Sequence, residues 1–175
     1  PAKYKNSPET AIYAKSKTLY GLNWAKAEIV AADEVIVCEG YTDVIGFHRS
    51  GVRRAVATCG TALTEDHVRL LKRFAKKVVL AFDADSAGQG AAARFYEWEQ
   101  RYKVEVGVAH FPQGKDPGDL ANSDPDSLAK AVASAQPFLG FRLQRVLDAG
   151  SVASPEARSR TAEQAMSVRS EEHTS

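Results

Sequence analysis

The carboxylates of this chain attract notice because of where they fall. The stretch "LAFDADSAG" (residues 80–88) ends an apolar run in Asp83 and Asp85, with one alanine between them. Residues i and i+2 of an extended chain project to the same side. Two such charges about 4 Å apart repel by about 4 kcal/mol at an effective dielectric near 20. The repulsion is relieved if one carboxyl keeps its proton or if a cation lies between them. Mg²⁺ suits the second case, because it prefers carboxylate oxygens and takes its other ligands from water and substrate phosphates. The stretch "CEGYTD" (residues 38–43) supplies Glu39 and Asp43. With a helix starting near Tyr41, Asp43 falls in the first turn and faces back toward Glu39. The stretch "GKDPGDL" (residues 114–120) adds Asp116 and Asp119. One Asp-x-Asp pair is a weak signal, since many solvated turns contain it. Acidic groups at the ends of several strands of one series are far more specific. They read as a site in which carboxylates hold metal and metal holds phosphate.

The surrounding pattern supplies such strands. Short, mostly apolar runs at residues 34–39, 53–59, 77–83 and 104–111 alternate with helical patterns at 41–51, 64–74 and 87–102. Thr64 is placed to cap the second of these helices, with Glu65 and Asp66 favourable in its first turn. Strand–helix alternation of this kind predicts a parallel sheet with helices on both faces. Ligands of such sheets bind beyond the carboxyl ends of the strands, where the acidic clusters fall. Gly40 is expected to let the chain turn sharply after Glu39, and Gly88 and Gly90 to allow close backbone approach. An apolar face through Leu19, Leu22, Ala25 and Ile29 predicts a helix over about 18–32, ahead of the first strand. After Pro112 a polar loop is expected. Helices follow near 125–133, 138–147 and 155–166, the last two forming a small subdomain.

Composition sets the outer limits. The chain has 175 residues, 44% hydrophobic and 26% charged, with a formal net charge of +1. This is the balance of a globular domain, and no apolar run is long enough to predict a membrane span. No secretory signal is visible, so a cytoplasmic location is expected. Cys38 and Cys59 belong to no Cys-x-x-Cys pattern and read as reduced core residues. His48, His67 and His110 read as surface or hydrogen-bonded residues. Lys3, Lys5, Lys15, Lys17 and Lys26 cluster ahead of the first strand, a distribution suited to phosphates or to a solvated face.

"VIVCEGYTDVI" followed by "VVLAFDADSAG" resembles the Toprim domain of DnaG-type primases, topoisomerases, recombination proteins and some nucleases. "KYKNSPET" (residues 3–10), "LYGL" (19–22), "GTALTEDH" (60–67) and "GKDPGDL" narrow the resemblance to the bacterial DNA primase family. The resemblance covers residues 1–165. It implies a Toprim-type Rossmann-like sheet, mostly parallel, with an amino-terminal segment of a second subdomain and carboxyl-terminal helices. On this basis residues 1–33 end a basic subdomain, 34–122 form the Toprim domain and 123–168 a helical segment. The stretch "RSEEHTS" (169–175) resembles a translated sequencing-adapter oligonucleotide and is expected to be an artefactual or disordered tail.

The resemblance also implies an activity, the synthesis of short RNA primers on single-stranded DNA by metal-dependent nucleotidyl transfer. Glu39, Asp83 and Asp85 would be catalytic. Glu39, Asp43, Asp83, Asp85 and Asp116 would hold Mg²⁺ or Mn²⁺. Lys3, Tyr4, Asn6, Lys15 and Tyr41 match nucleotide- or template-contacting positions, with Asp119 and Lys17 as further candidates. The expected partners are template, nucleoside triphosphates and a replicative helicase, the last reached through a carboxyl-terminal domain beyond this chain. Zinc is expected only in a domain upstream of it, and no membrane partner is expected. The sequence departs from the family at Asp116-Pro117-Gly118, where Asp-Pro-Asp is usual. The alternatives are another Toprim enzyme, a topoisomerase or nuclease, and a non-catalytic Toprim binding module in recombination.

Overall fold

A computed structural model of the chain describes residues 8–81, 89–112, 115–150 and 154–170. The strands are β1 (Glu34–Cys38), β2 (Ala55–Ala57), β3 (Lys77–Leu80), β4 (Glu105–Val108) and β5 (Gln136–Pro137). They form one sheet in the order β2-β1-β3-β4-β5. The first four are parallel, and β5 pairs antiparallel with β4. The expected mostly parallel α/β sheet is thus the observed one, with a short antiparallel edge added.

The helices are α1 (Leu22–Ala32), α2 (Tyr41–Arg49), α3 (Glu65–Leu71), α4 (Gln89–Tyr102), α5 (Pro117–Ser123), α6 (Pro125–Ala133), α7 (Phe138–Ala149) and α8 (Pro155–Ser170). Strand alternation divides the core between the two faces. Val35, Val37, Val56, Val78 and Leu80 pack under α1, α3, α4 and α7, through Ile29, Leu71, Phe95 and Phe138 among others. Ile36, Cys38, Ala55, Ala57 and Val79 pack under α2, α5 and α6, through Phe47, Leu120 and Leu128. Each fully buried Leu, Ile or Phe contributes about 1.5–3 kcal/mol, so both faces are firmly covered. Because Phe138 and Phe141 belong to this core, α7 packs on the sheet as well as on α8.

Three local expectations differ from what forms. The first helix begins at Leu22, because Gly21 adopts φ 83 and Tyr20 is extended, exchanging backbone hydrogen bonds with Ala57. Leu19 and Tyr20 therefore point to opposite faces, as strand residues do. The loop expected after Pro112 contains α5, which starts with Pro117 in its first turn and Asp116 as N-cap. Proline is preorganised for that position. Gly40 has φ −119 and ψ 160, an extended conformation open to any residue, so the turn after Glu39 does not depend on glycine.

The strand order places a topological switch between β1 and β3. The crossover from β1 to β2 runs through α2 on one face, and that from β2 to β3 through α3 on the other. The crevice beyond the carboxyl ends of β1 and β3 is where such sheets bind ligands.

Candidate active site

Glu39 follows the last residue of β1 directly and is exposed. Its carbonyl accepts from the Cys59 N–H at 2.9 Å, which ties the β1 end to the loop after β2. Asp43 lies in the first turn of α2 and is only 7% exposed. Its Oδ2 accepts from the Gly40 N–H at 3.1 Å, closing the chain back on itself in half a capping box. A second amide, that of Gly118, also donates to this carboxylate.

Gly118 sits just inside α5, so Asp116 and Asp43 meet across α2 and α5. Two observations explain how these helices approach so closely. A Cβ added at Gly46 of α2 would lie 2.9 Å from Ala121 Cβ and 3.1 Å from the Pro117 carbonyl. A Cβ added at Gly118 would lie 3.2 Å from Asp116 Oδ1 and 3.6 Å from Asp43 Oδ1. Arg49 reinforces the contact by donating to Asn122 Oδ1 at 2.9 Å.

The electrostatics follow from this packing. Burial first, then the charges of Asp116 and Glu39, push the Asp43 carboxyl above its ordinary value, while the Gly40 and Gly118 amides pull it down. Beneath it, the Cys38 thiol is pushed well up, chiefly by burial and then by Asp43. The Cys59 thiol is raised in the same way, against a hydrogen bond from the Tyr41 amide. Both cysteines are free. The carboxylates of Glu39, Asp43 and Asp116 supply oxygen donors to this crevice.

Asp116 Oδ1 accepts from the Asp119 N–H at 2.7 Å, making Asp116 the cap of α5 and not a loop residue. Position 118, where the family pattern carries its second aspartate, faces Asp43 and Asp116. Asp119 is exposed in the first turn of α5. Tyr41 opens α2, its ring 6.0 Å from that of Tyr20, which in turn stands edge-on to Trp24 at 5.6 Å. Lys15 and Lys17 bound a short 3-10 turn. Among the described residues neither lysine forms an ion pair.

Lys3, Tyr4, Asn6, Asp83 and Asp85 lie outside the described residues. Among those described, no group of three or more His, Cys, Asp or Glu is arranged to hold a metal ion. The sequence reading missed the Tyr20–Trp24 pair, though "LYGLNW" carried the signal. It also missed the role of His67, which is fully buried and hydrogen-bonded to the Lys15 carbonyl. No described helix is long and apolar enough to cross a membrane.

Comparison with known proteins agrees with this geometry. A Toprim-like family model matches residues 36–121. The chain is 40% identical over 173 residues to the DNA primase of Streptomyces coelicolor, covering 95% of this chain and 27% of that protein. It is 41% identical over 155 residues to the DNA primase of Campylobacter jejuni, covering 88% of this chain and 26% of that protein. The RNA polymerase domain of Mycobacterium tuberculosis primase DnaG, solved with a DNA oligomer bearing a 6-nucleotide overhang, superposes with a TM-score of 0.83 at 34% identity. That match covers 97% of this chain and 56% of the solved one. A DnaG primase catalytic domain bound to single-stranded DNA superposes with a TM-score of 0.74 at 31% identity, covering 97% and 56%. The chain thus spans about a quarter of the curated relatives and just over half of the solved domains. Sheet order, acidic crevice and these matches agree: the chain belongs to the DnaG-type bacterial DNA primase family, within its Toprim-containing catalytic core.

Proposed function

We propose that this chain forms part of a primase catalytic core that makes short RNA primers on single-stranded DNA by metal-dependent nucleotidyl transfer. One observation carries the reading most. Asp43 and Asp116, from helices far apart in sequence, are packed together beside Glu39 at the β1/β3 switch, with no basic partner in any described ion pair. Crowding two exposed carboxylates against the buried one of Asp43 without a counter-charge is costly, and a divalent cation supplies that charge.

The donor set fits Mg²⁺ or Mn²⁺, being made of carboxylate oxygens above protonated thiols. Glu39, Asp43 and Asp116, completed by Asp83 and Asp85, which follow β3 in the sequence, would hold it. When bound, the metal lowers the barrier to attack of a 3′-hydroxyl on an α-phosphate and stabilises the departing pyrophosphate. The chain's own groups do the rest. The exposed carboxylate of Glu39 would lie near the reacting phosphate. The Gly40 and Gly118 amides fix the Asp43 carboxylate. Lys15 and Tyr41, with Lys3, Tyr4 and Asn6, hold and orient nucleotide and template, and Lys17 and Asp119 are secondary candidates. Positioning and charge neutralisation account for most catalysis of this kind.

Single-stranded DNA as template is supported by the DnaG catalytic domain solved with it. Nucleoside triphosphates, a replicative helicase and a cytoplasmic setting follow from the same reading, as does the assignment of residues 34–122 to the Toprim unit. The test is Glu39→Gln in the intact parent protein. Primer synthesis should fall by about a hundredfold or more, the scale of one lost electrostatic group, while single-stranded DNA binding survives. Near-normal synthesis would overturn the assignment.

A further inference from the structure

We propose that His67 is a positioning residue for Lys15, fixing where that ammonium meets nucleotide phosphate without touching nucleotide itself. The inference rests on the reading of Lys15 as a nucleotide contact.

His67 is 0% exposed and lies in the first turn of α3. Its Nδ1 accepts from the Thr64 N–H at 3.3 Å, and its Nε2 lies 2.9 Å from the Lys15 carbonyl oxygen. A carbonyl only accepts and an amide N–H only donates, so the partners assign the proton to Nε2. Burial holds the ring pKa below its ordinary value, and the neutral Nε2–H form is the one that suits both partners.

Thr64 acts alongside. Its hydroxyl donates to the Ser16 carbonyl at 2.6 Å and accepts from the His67 N–H at 3.2 Å. Two side chains of one helix start therefore hold two successive carbonyls of the Lys15–Lys17 turn. On its other side the Lys15 N–H donates to Glu9 Oε1 at 3.0 Å. The backbone of Lys15 is fastened at both its polar groups, and its ammonium forms no ion pair among the described residues.

The topology gives the clamp its purpose. α3 begins where the loop after β2 ends, at the carboxyl edge of the sheet, and that loop is bonded to Glu39 through Cys59. The turn carrying Lys15 is thus referenced to the same sheet edge as the carboxylates. A fully buried imidazole with both nitrogens engaged is more than is needed to cap α3, since Thr64 already accepts the His67 N–H.

The experiment separates clamp from cap with two amides. In His67→Gln the amide nitrogen replaces Nε2 as donor to Lys15. In His67→Asn the amide oxygen replaces Nδ1 as acceptor from Thr64, and the Lys15 donor is lost. ATP affinity in the presence of Mg²⁺, Mn²⁺ affinity and unfolding midpoint are measured for each, alone and combined with Lys15→Ala. The expected result for His67→Asn is a roughly tenfold loss of ATP affinity, with Mn²⁺ affinity unchanged. His67→Gln should stay within about twofold of the parent, and His67→Asn should cost nothing further once Lys15 is alanine.

An equal loss in the Lys15→Ala background would overturn the inference. So would Asn and Gln variants that lose ATP affinity alike, in step with stability. If Lys15→Ala weakens ATP binding and His67→Asn does not, only the His67 role falls. If Lys15→Ala has no effect, the nucleotide reading of Lys15 falls and the His67 role with it. Should the Asn variant fail to fold, the unaltered protein serves. Its His67 Nε2–H resonance should shift on adding ATP with Mg²⁺, and the shift should vanish in Lys15→Ala. No shift in the unaltered protein would also overturn the proposal.

Discussion

The two ends of β1 treat negative charge in opposite ways. At its start, Glu34 is clamped between Arg54, whose Nε and Nη2 both lie 2.8 Å from Oε1, and Lys77, whose Nζ lies 2.9 Å from Oε2. Asp33, just before it, pairs with Lys76. These partners come from the segments entering β2 and β3, so the charges help fasten the amino edge of the sheet. At its end, Glu39 and Asp116 flank Asp43 with no such partner among the described ion pairs, and burial first, then the charges of Asp116 and Glu39, raise the Asp43 carboxyl. The same residue types, one short strand apart, are neutralised at one edge and left charged at the other. A fold that pairs its acids where they serve structure, and among the described residues does not pair them beyond the strand ends, leaves that charge for a ligand to balance.

The largest expected effect concerns how the unpaired group is assembled. Gly46→Ala would drive a methyl into Ala121 and the Pro117 carbonyl, separating α2 from α5. Overpacking of this kind costs about 1–3 kcal/mol, measurable by urea unfolding. It should also weaken metal binding, because Asp116 rides on α5. A stable variant with unchanged metal affinity would break the link between packing and site.

Next comes the paired end. Glu34→Gln should cost about 1 kcal/mol, a scale set by charge-assisted bonds to partly exposed partners. It should leave Mn²⁺ affinity untouched. Loss of metal binding there would erase the contrast between the two ends.

Asp116→Asn should change stability by less than about 0.5 kcal/mol, because asparagine caps a helix as well as aspartate does. Metal affinity should nevertheless fall. The smallest effect is on pH dependence. Asp43 has a folded-state pKa above its unfolded value, so the folded chain binds more protons. Metal-free stability should therefore fall as pH rises from the ordinary carboxylate value, about 4, through the raised one, and level off above it. Asp116→Asn should shrink that fall by removing one of the repelling charges.

Much of this was legible in the chain, and the exceptions have physical causes. Strand–helix alternation gave the parallel sheet because buried strands are short and apolar. Thr64 was readable as a cap, and its hydroxyl accepts the His67 N–H. The span of α6 was read to the residue, because Pro125 starts it as an N1 proline does. The same signal at Asp116-Pro117 was available for α5 and was hidden by the polar character of the stretch. The start of α1 was misplaced because the period of Leu19, Leu22 and Ala25 continues across Gly21, where only the backbone dihedral marks the break. Spacing predicted that Asp43 would turn back toward Glu39. The acidic strand ends put Asp43 and Asp116 in one site, but the direct packing of α2 on α5 was beyond the spacing, because it depends on two glycines letting helices touch. The clamp on Lys15 was equally hidden, since a histidine and a carbonyl far apart in sequence leave no periodic trace.

The most direct test of the account is a metal titration of unfolding at neutral pH, comparing the unaltered chain with the Asp43→Asn/Asp116→Asn double variant. Both asparagines keep an oxygen for the amides that Asp43 and Asp116 now accept from. The account predicts that the unaltered chain gains stability steadily with Mg²⁺ or Mn²⁺, by RT ln(1 + [metal]/Kd). The double variant should gain little, and without metal it should lie within about 1 kcal/mol of the parent or above it, because a repulsion has been removed. A double variant several kcal/mol less stable without metal, or equally stabilised by metal, would contradict the claim that these carboxylates are kept unpaired for a divalent cation.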